Sequence, residues 1–251
     1  MGLAGEWDHT QSVKEFLRHF AYKARLGAVL GAVSRRRGFK TAHFEHATPA
    51  ERFAAVYRDG VWVHGHDRAS LSGDGAELTA TTQLRQDLPC HLRNLGCQTL
   101  LDIGCGDWNW MREVDLPCVY VGCDIVGAVI DANRAFERPG VSFQLLDAIA
   151  GPLPRCDVAL CREVLFHLSF KDALAVLSNI RPAAEWLIAT TDNSIWFNSD
   201  IPSGHFRKLN LQRSPFSLPP PLHTIVDDAV SKGRMLGVWR TADLTNNCRA
   251  L

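Results

Sequence analysis

The chain of 251 residues, 46% of them hydrophobic and 22% charged, is long enough for one large domain with a buried core. Its 27 Lys plus Arg balance 27 Asp plus Glu, so no net field draws it to nucleic acid or an anionic membrane surface. None of its eight cysteines stands at C-x-x-C spacing, and several sit inside apolar runs; they read as core residues of a reducing, cytoplasmic chain, against a zinc site or a disulfide framework.

Charges and histidines interrupt the first twenty residues, which speaks against a signal peptide, and the apolar run 26–33 is too short to cross a bilayer. Val13, Phe16, Leu17, Phe20, Ala24 and Leu26 fall roughly on one helical face, predicting a helix packed on the main domain. The run Arg35-Arg36-Arg37 with Lys40 reads as a solvated loop. A helical pattern returns in "TPAERFAAVYR", the glycine-rich loop "SLSGDGAEL" follows, and "TATTQLRQDLPCHLRNL" is a further helix. Strands and helices then alternate. "TLLDI", "CVYVGCDI", "VSFQLLD", "CDVALC" and "EWLIATT" read as strands, "VGAVIDANRAF" and "SFKDALAVLSNI" as helices, the second with Ser169 as N-cap, and "LHTIV" and "MLGVWR" as two late strands. This alternation predicts an α/β fold with a Rossmann-like, doubly wound, mostly parallel sheet. Residues 1–95 form its N-terminal helical region and cap, and residues 96–251 the core. The Ser-, Asn- and Pro-rich segment 192–221 is too long for a plain connection and reads as an acceptor lid, with "LPPPL" as a rigid hinge.

The stretch "TLLDIGCGDWNWM" marks the first strand–helix turn, where open α/β sheets bind ligands. Gly104 and Gly106, either side of Cys105, permit a sharp turn and close approach. A dinucleotide fingerprint wants a third glycine three residues on, but Asn109 stands there between Trp108 and Trp110, and Asp107 places negative charge where a pyrophosphate would lie. The turn therefore argues against a phosphate ligand. Asp102 suits an ammonium group, Asp124 at the end of the second strand suits both hydroxyls of a ribose, and Asp147 after the third suits an adenine amine, with Ala148 or Ile149 offering backbone contacts. The set fits S-adenosylmethionine, a zwitterion carrying a sulfonium.

These segments resemble the class I S-adenosylmethionine-dependent methyltransferases. "LLDIGCGDWNWM" is similar to their glycine-rich first motif, "YVGCDI" to their ribose-binding acid and "LLDAI" to their adenine-contacting acid, over at least residues 95–191. "SLSGDGAELTATTQLR", "GDWNWM", "CREVLFHLS" and "DIPSGHFRKLNLQRSPFSLPPP" together resemble a branch associated with glycan and natural-product biosynthesis. In that branch the first of these segments caps the methionine end of the cofactor. The resemblance thus adds Ser72, Thr82, Arg85, Trp108, Ile125 and Arg162 to the cofactor residues. The chain departs from the branch at Glu163, often aspartate there, and at His205, often aromatic. The resemblance implies methyl transfer to a hydroxyl of a sugar or related small molecule. A partly methylated mannose oligosaccharide of the mycobacterial methylmannose polysaccharide type is one candidate, and phenols and carboxylic acids are alternatives. From other classes, a nicotinamide-dependent reductase and a non-catalytic cofactor-binding module compete with it.

A hydroxyl acceptor needs a base, and His167 just beyond the fourth strand faces the expected methyl. Glu163, four residues earlier, would share its face on a helical turn, orient the imidazole and stabilise its charged form. His205 and His223 are reserve candidates, and His64 and His66 beside Trp62 read as surface residues. The lid supplies His205, Phe206, Arg207, Asn210 and Phe216 as an acceptor wall. No Asn/Asp-Pro-Pro-aromatic turn follows the fourth strand, which speaks against nucleic-acid bases as acceptors. Asp192, after the fifth strand, stands where magnesium-dependent catechol-type methyltransferases hold part of their ion; Asp192-Asn193-Ser194 is also an ordinary turn.

Overall fold

The computed structural model describes residues 40–63 and 69–244. The expected helix through residues 13–26, the basic run 35–37, and His64 and His66 lie outside the described residues. Seven strands form one sheet in the order β3-β2-β1-β4-β5-β7-β6. They are β1 (Thr99–Ile103), β2 (Val119–Asp124), β3 (Val141–Leu145), β4 (Cys156–Cys161), β5 (Ala184–Asp192), β6 (His223–Val226) and β7 (Arg234–Arg240). The first five run parallel, and their central members read as unbroken apolar runs because both faces are covered.

Four helices matter to the site: α1 (Pro49–Arg58), α2 (Thr82–Asn94), α3 (Gly127–Asn133) and α4 (Phe170–Ala183). Thr48 and Glu51 close a capping box at the start of α1, and Ser169 Oγ accepts from the Asp172 amide at 3.1 Å to cap α4, as its sequence predicts. Leu174, Leu177 and Ile180 of α4 pack with Ile103 and Leu187 on one face of the sheet. Leu84, Leu88 and Leu92 of α2 pack with Leu100, Tyr120 and Ile188 in a second apolar cluster. No described helix is long and apolar enough to cross a membrane.

The end of the sheet departs from a dinucleotide fold, whose sixth strand lies parallel beside the fifth. Here β7 is antiparallel to β5, with Ile188 opposite Val238, and β6 is antiparallel to β7, with Ile225 opposite Leu236. So β6 points the same way as β1–β5, and the turn between β6 and β7 lies at their carboxyl edge. That edge carries the site.

Candidate active site

The turn after β1 is locked onto β2 by the amides of Gly104 and Cys105, both donating to the Cys123 carbonyl, at 2.8 and 3.0 Å. Gly104 and Gly106 have φ of 70° and 57°, where a Cβ is strained. Space excludes one too: a Cβ at 104 would strike Val164, and at 106 the hydroxyls of Ser72 and Tyr57. Gly106 thus makes room for the chain's own cap. Asp124 is buried at the end of β2, its carboxylate accepting from the amides of Gly106 (3.2 Å) and Val126 (2.9 Å). Burial nevertheless pushes its carboxyl up to about 6. Asp147 accepts from the Ile149 amide at 2.9 Å. These two acids join Gly104, Cys105, Gly106, Ile125, Ala148 and Ile149 around a cleft, with Ser72, Trp110 and Arg162 on its walls.

Four of the expected cofactor residues lie elsewhere. Asp102 does not line the cleft; it sits in the second apolar cluster, where the Tyr120 hydroxyl donates to its Oδ2 at 2.7 Å. Burial raises its carboxyl to about 7, against the Tyr120 bond and the nearby Arg162 cation. Trp108 has φ of 56°, and this left-handed step turns its ring inward, edge-on to Phe143 at 5.1 Å, so that Trp110 lines the cleft instead. Thr82 and Arg85 belong to α2, and both side chains donate to the Leu78 carbonyl, at 3.0 and 3.1 Å. Neither lines the cleft.

Residues 69–77 form a strap across the turn, held by Asp107. Its carboxylate accepts from the Leu71 amide (2.6 Å) and from the hydroxyls of Ser70 (2.9 Å) and Ser72 (3.1 Å). Ser72 Oγ in turn accepts from the Asp107 amide at 3.0 Å and shares a hydrogen bond with the Tyr57 hydroxyl at 2.9 Å. Behind the strap, Arg162 donates to the Gly75 carbonyl (2.8 Å) and, through Nη2 and Nε, to both carboxylate oxygens of Asp227 (2.8 and 3.1 Å). Arg234 pairs with Glu163 at 2.5 Å and donates to the Asp227 carbonyl at 2.8 Å. Two buried cations therefore face two carboxylates, the arrangement that makes burial of charge tolerable. Asp227 follows β6 and Arg234 opens β7, and nothing local in the sequence marks them.

His167 sits on the short turn after β4. Its Nδ1 lies 2.8 Å from the His205 carbonyl, which can only accept, so Nδ1 carries the proton and Nε2 is bare. Trp62 stacks on the ring at 4.7 Å, with Phe166 at 4.6 Å and Phe206 at 5.8 Å. Burial lowers the imidazole to about 4, against the His205 bond and helped by the Arg207 cation. The pairing with Glu163 expected from their spacing does not form. Glu163 has φ of 59°, which breaks the helical turn that would align the two, and its carboxylate belongs to the arginine cluster. The imidazolium is disfavoured, the reverse of the expected shift. Phe53, Tyr57 and Trp62, which sequence reasoning did not assign, complete this end of the cleft with Val164 and His167.

Three of the five residues expected to form an acceptor wall after β5 are packed inward. Arg207 is fully buried, donating to the Leu168 carbonyl at 2.6 Å beneath the Phe170 ring. The Asn210 side chain donates to the Ile195 carbonyl at 2.7 Å, and Phe216 is fully buried, edge-on to Phe170. None of the three lines the cleft. His205 contributes its carbonyl while its ring stacks on Phe44 at 5.2 Å; half-exposed Phe206 packs on Phe166. His223 begins β6, at the opposite edge of the sheet. Asp192 accepts from the Ser194 amide (2.9 Å) and hydroxyl (2.5 Å) and lies 3.7 Å from Lys208 Nζ, so it closes the turn. No cluster of His, Cys, Asp and Glu among the described residues has the make-up of a metal site.

Residues 101–183 match a family described as a methyltransferase domain. No curated protein matches the sequence. Among solved structures, a mitomycin 7-O-methyltransferase aligns at 17% identity and TM-score 0.51 over 65% of this chain and 53% of its own, so this chain spans about half that enzyme's length. The magnesium protoporphyrin IX methyltransferase of Synechocystis PCC 6803 with bound S-adenosylmethionine aligns at 14% and 0.54 over 79% of this chain and 98% of its own. A Burkholderia thailandensis 1,6-didemethyltoxoflavin-N1-methyltransferase aligns at 16% and 0.52, over 78% and 91%. At such identities these structures show a common fold. Residues 101–183, from β1 to the end of α4, thus carry a methyltransferase domain, set on the fold that these solved structures share.

Proposed function

We propose that the enzyme methylates a hydroxyl oxygen of a small molecule, with His167 receiving the proton. The observation that carries this reading is the bond from His167 Nδ1 to the His205 carbonyl, which leaves Nε2 bare in a residue lining the cleft. The cofactor assignment has its own support. Each oxygen of the buried Asp124 carboxylate accepts one amide and keeps lone pairs for a ribose hydroxyl, and the neighbouring turn at Asp147 suits an adenine. Bound S-adenosylmethionine supplies an electrophilic methyl, so the protein's task is alignment, exclusion of water and a proton acceptor. The strap held by Asp107 covers the glycine turn, and Ser72 and Ala76 bring it to the cleft wall. A sugar hydroxyl, as the branch resemblance implies, is one form of this acceptor.

His167→Gln tests the base. The variant should bind S-adenosylhomocysteine like the wild type and lose transfer rate by roughly 10²–10⁴-fold across a panel of hydroxyl acceptors. With the imidazole at about 4, His167 itself should impose no change of rate between pH 6 and 8. Wild-type turnover in the variant removes His167 from the chemistry. Calorimetry that finds a nicotinamide dinucleotide bound in place of S-adenosylhomocysteine revives the reductase.

A further inference from the structure

The outer end of the cleft is built of flat rings. Phe53 and Tyr57, one turn apart on α1, meet the Trp62 indole at 6.0 and 5.5 Å, and that indole stacks on His167. Val164 and Leu168 extend the apolar wall. The charged residues beside this end among those described, Arg162 and Glu163, are matched by Asp227 and Arg234. The acceptor classes ask different things of such walls. A carboxylate needs an unmatched cation, and Arg162, the cation that lines the described cleft, is already paired. A saccharide needs several polar side chains around its rim. A planar aryl ring needs flat apolar faces and one group to receive its hydroxyl.

Resting on the reading of His167 as proton acceptor, we propose that the acceptor is a planar aromatic alcohol, a phenol or fused-ring hydroxyarene, bound against Trp62 and Phe53 with its hydroxyl toward Nε2 of His167. The aryl oxygen forms a bond to the methyl carbon while the methyl–sulfur bond breaks, its electron pair remaining on sulfur. The hydroxyl proton passes to Nε2, giving an aryl methyl ether, S-adenosylhomocysteine and a proton later released to water. Chemistry favours the same class. A phenol ionises near pH 10, as tyrosine does, and a saccharide hydroxyl is a far weaker acid, so an aryl hydroxyl asks far less of an imidazole that burial has made a weak base.

The test uses the full chain. Calorimetry on protein saturated with S-adenosylhomocysteine compares 2-naphthol, 2-naphthoate and methyl α-mannoside. Labelled-methyl transfer then surveys one- to three-ring phenols, aryl carboxylates and a saccharide panel. The expected result is binding of 2-naphthol alone and acid-stable label in at least one phenol. Trp62→Ala should raise the KM for that phenol about tenfold or more with the Kd for S-adenosylhomocysteine unchanged, and Trp62→Phe should recover most of the loss. Labelled saccharide or carboxylate without labelled phenol overturns the proposal and leaves the cofactor site standing. So does a loaded enzyme that binds no phenol at millimolar concentration. Failure to bind S-adenosylhomocysteine at all sinks the cofactor reading and the proposal with it. Phenol methylation at full rate by His167→Gln sinks only the base.

Discussion

Two irregular segments reach the carboxyl edge of the sheet, and by composition they are alike. The strap, residues 69–77, is rich in Ser and Gly; the segment 193–221 is rich in Ser, Asn and Pro. The strap lays Ser72 and Ala76 on the cleft and is fastened by one acid from the glycine turn. The longer segment turns inward: the Asn198 amide donates to the carbonyls of Asn210 and Ser214, and Leu211, Phe216 and Leu218 join the apolar cluster beneath α4. A polar, coil-forming composition therefore does not distinguish a ligand wall from packing. What distinguishes them is where the polar side chains find partners: for 193–221 within the segment and on residues 168–172 beside it, for the strap on the acid of the glycine turn.

That contrast can be broken by experiment. Arg207→Ala should act on folding: it removes a buried cation from the Leu168 carbonyl and the Phe170 ring, a loss of about 2–4 kcal/mol and a Tm drop of roughly 4–16 °C, with the acceptor KM unchanged in the folded enzyme. A variant of normal Tm and raised KM would return the segment to the acceptor wall. Asp107→Ala should act on the ligand: losing its bonds to Leu71, Ser70 and Ser72 should weaken S-adenosylhomocysteine binding by about 10–100-fold and speed amide exchange at 70–72 while Tm changes little. Unchanged affinity would reduce the strap to packing. A pH series probes the acid under the strap. Asp124 is ionised above about 6, so affinity for S-adenosylhomocysteine should fall as pH drops below that value, by at most tenfold per pH unit. The unliganded fold has the opposite sign. Burial retains the Asp124 proton, so this residue's contribution to stability declines as pH rises from about 4 to 6. An affinity independent of pH between 5 and 8 would take the Asp124 carboxylate out of ligand binding. The smallest effect belongs to Thr82→Ala, within about 0.5 kcal/mol and without change in Kd, because its hydroxyl meets only the backbone of 78 and 79; a weakened Kd would restore Thr82 to the cofactor site.

Local signals carried the order of elements, the Ser169 cap and the placing of Asp124 and Asp147, because strand alternation, capping chemistry and an acid closing a strand are all encoded within a few residues. The exchange between Trp108 and Trp110 escaped, since a single left-handed step decides which indole turns inward. Glu163 escaped for the same reason: the i, i+4 rule assumes a helix that its positive φ interrupts. Phe53 and Tyr57 carried a signal in their four-residue spacing on α1, yet spacing shows a shared face and not what that face meets. Asp227 and Arg234 had no local signal, being delivered to Arg162 and Glu163 over some seventy residues by the pairing of β6 and β7.

The reversed last hairpin also sets an order of assembly. As the chain leaves the ribosome, β1–β5 with the glycine turn, Asp124 and Asp147 precede residues 223–240. Until the hairpin docks, Arg162 has Glu163 at 3.4 Å but lacks the two bonds to Asp227, and removing one partner of a buried pair costs about 3–5 kcal/mol. The wall of the cleft at Arg162 is therefore less well held beside a half-made sheet. A chain clipped before Asp227 leaves Arg162 short of a partner in the cleft wall, so the β6–β7 hairpin matters to the site although it stands at the far end of the sheet.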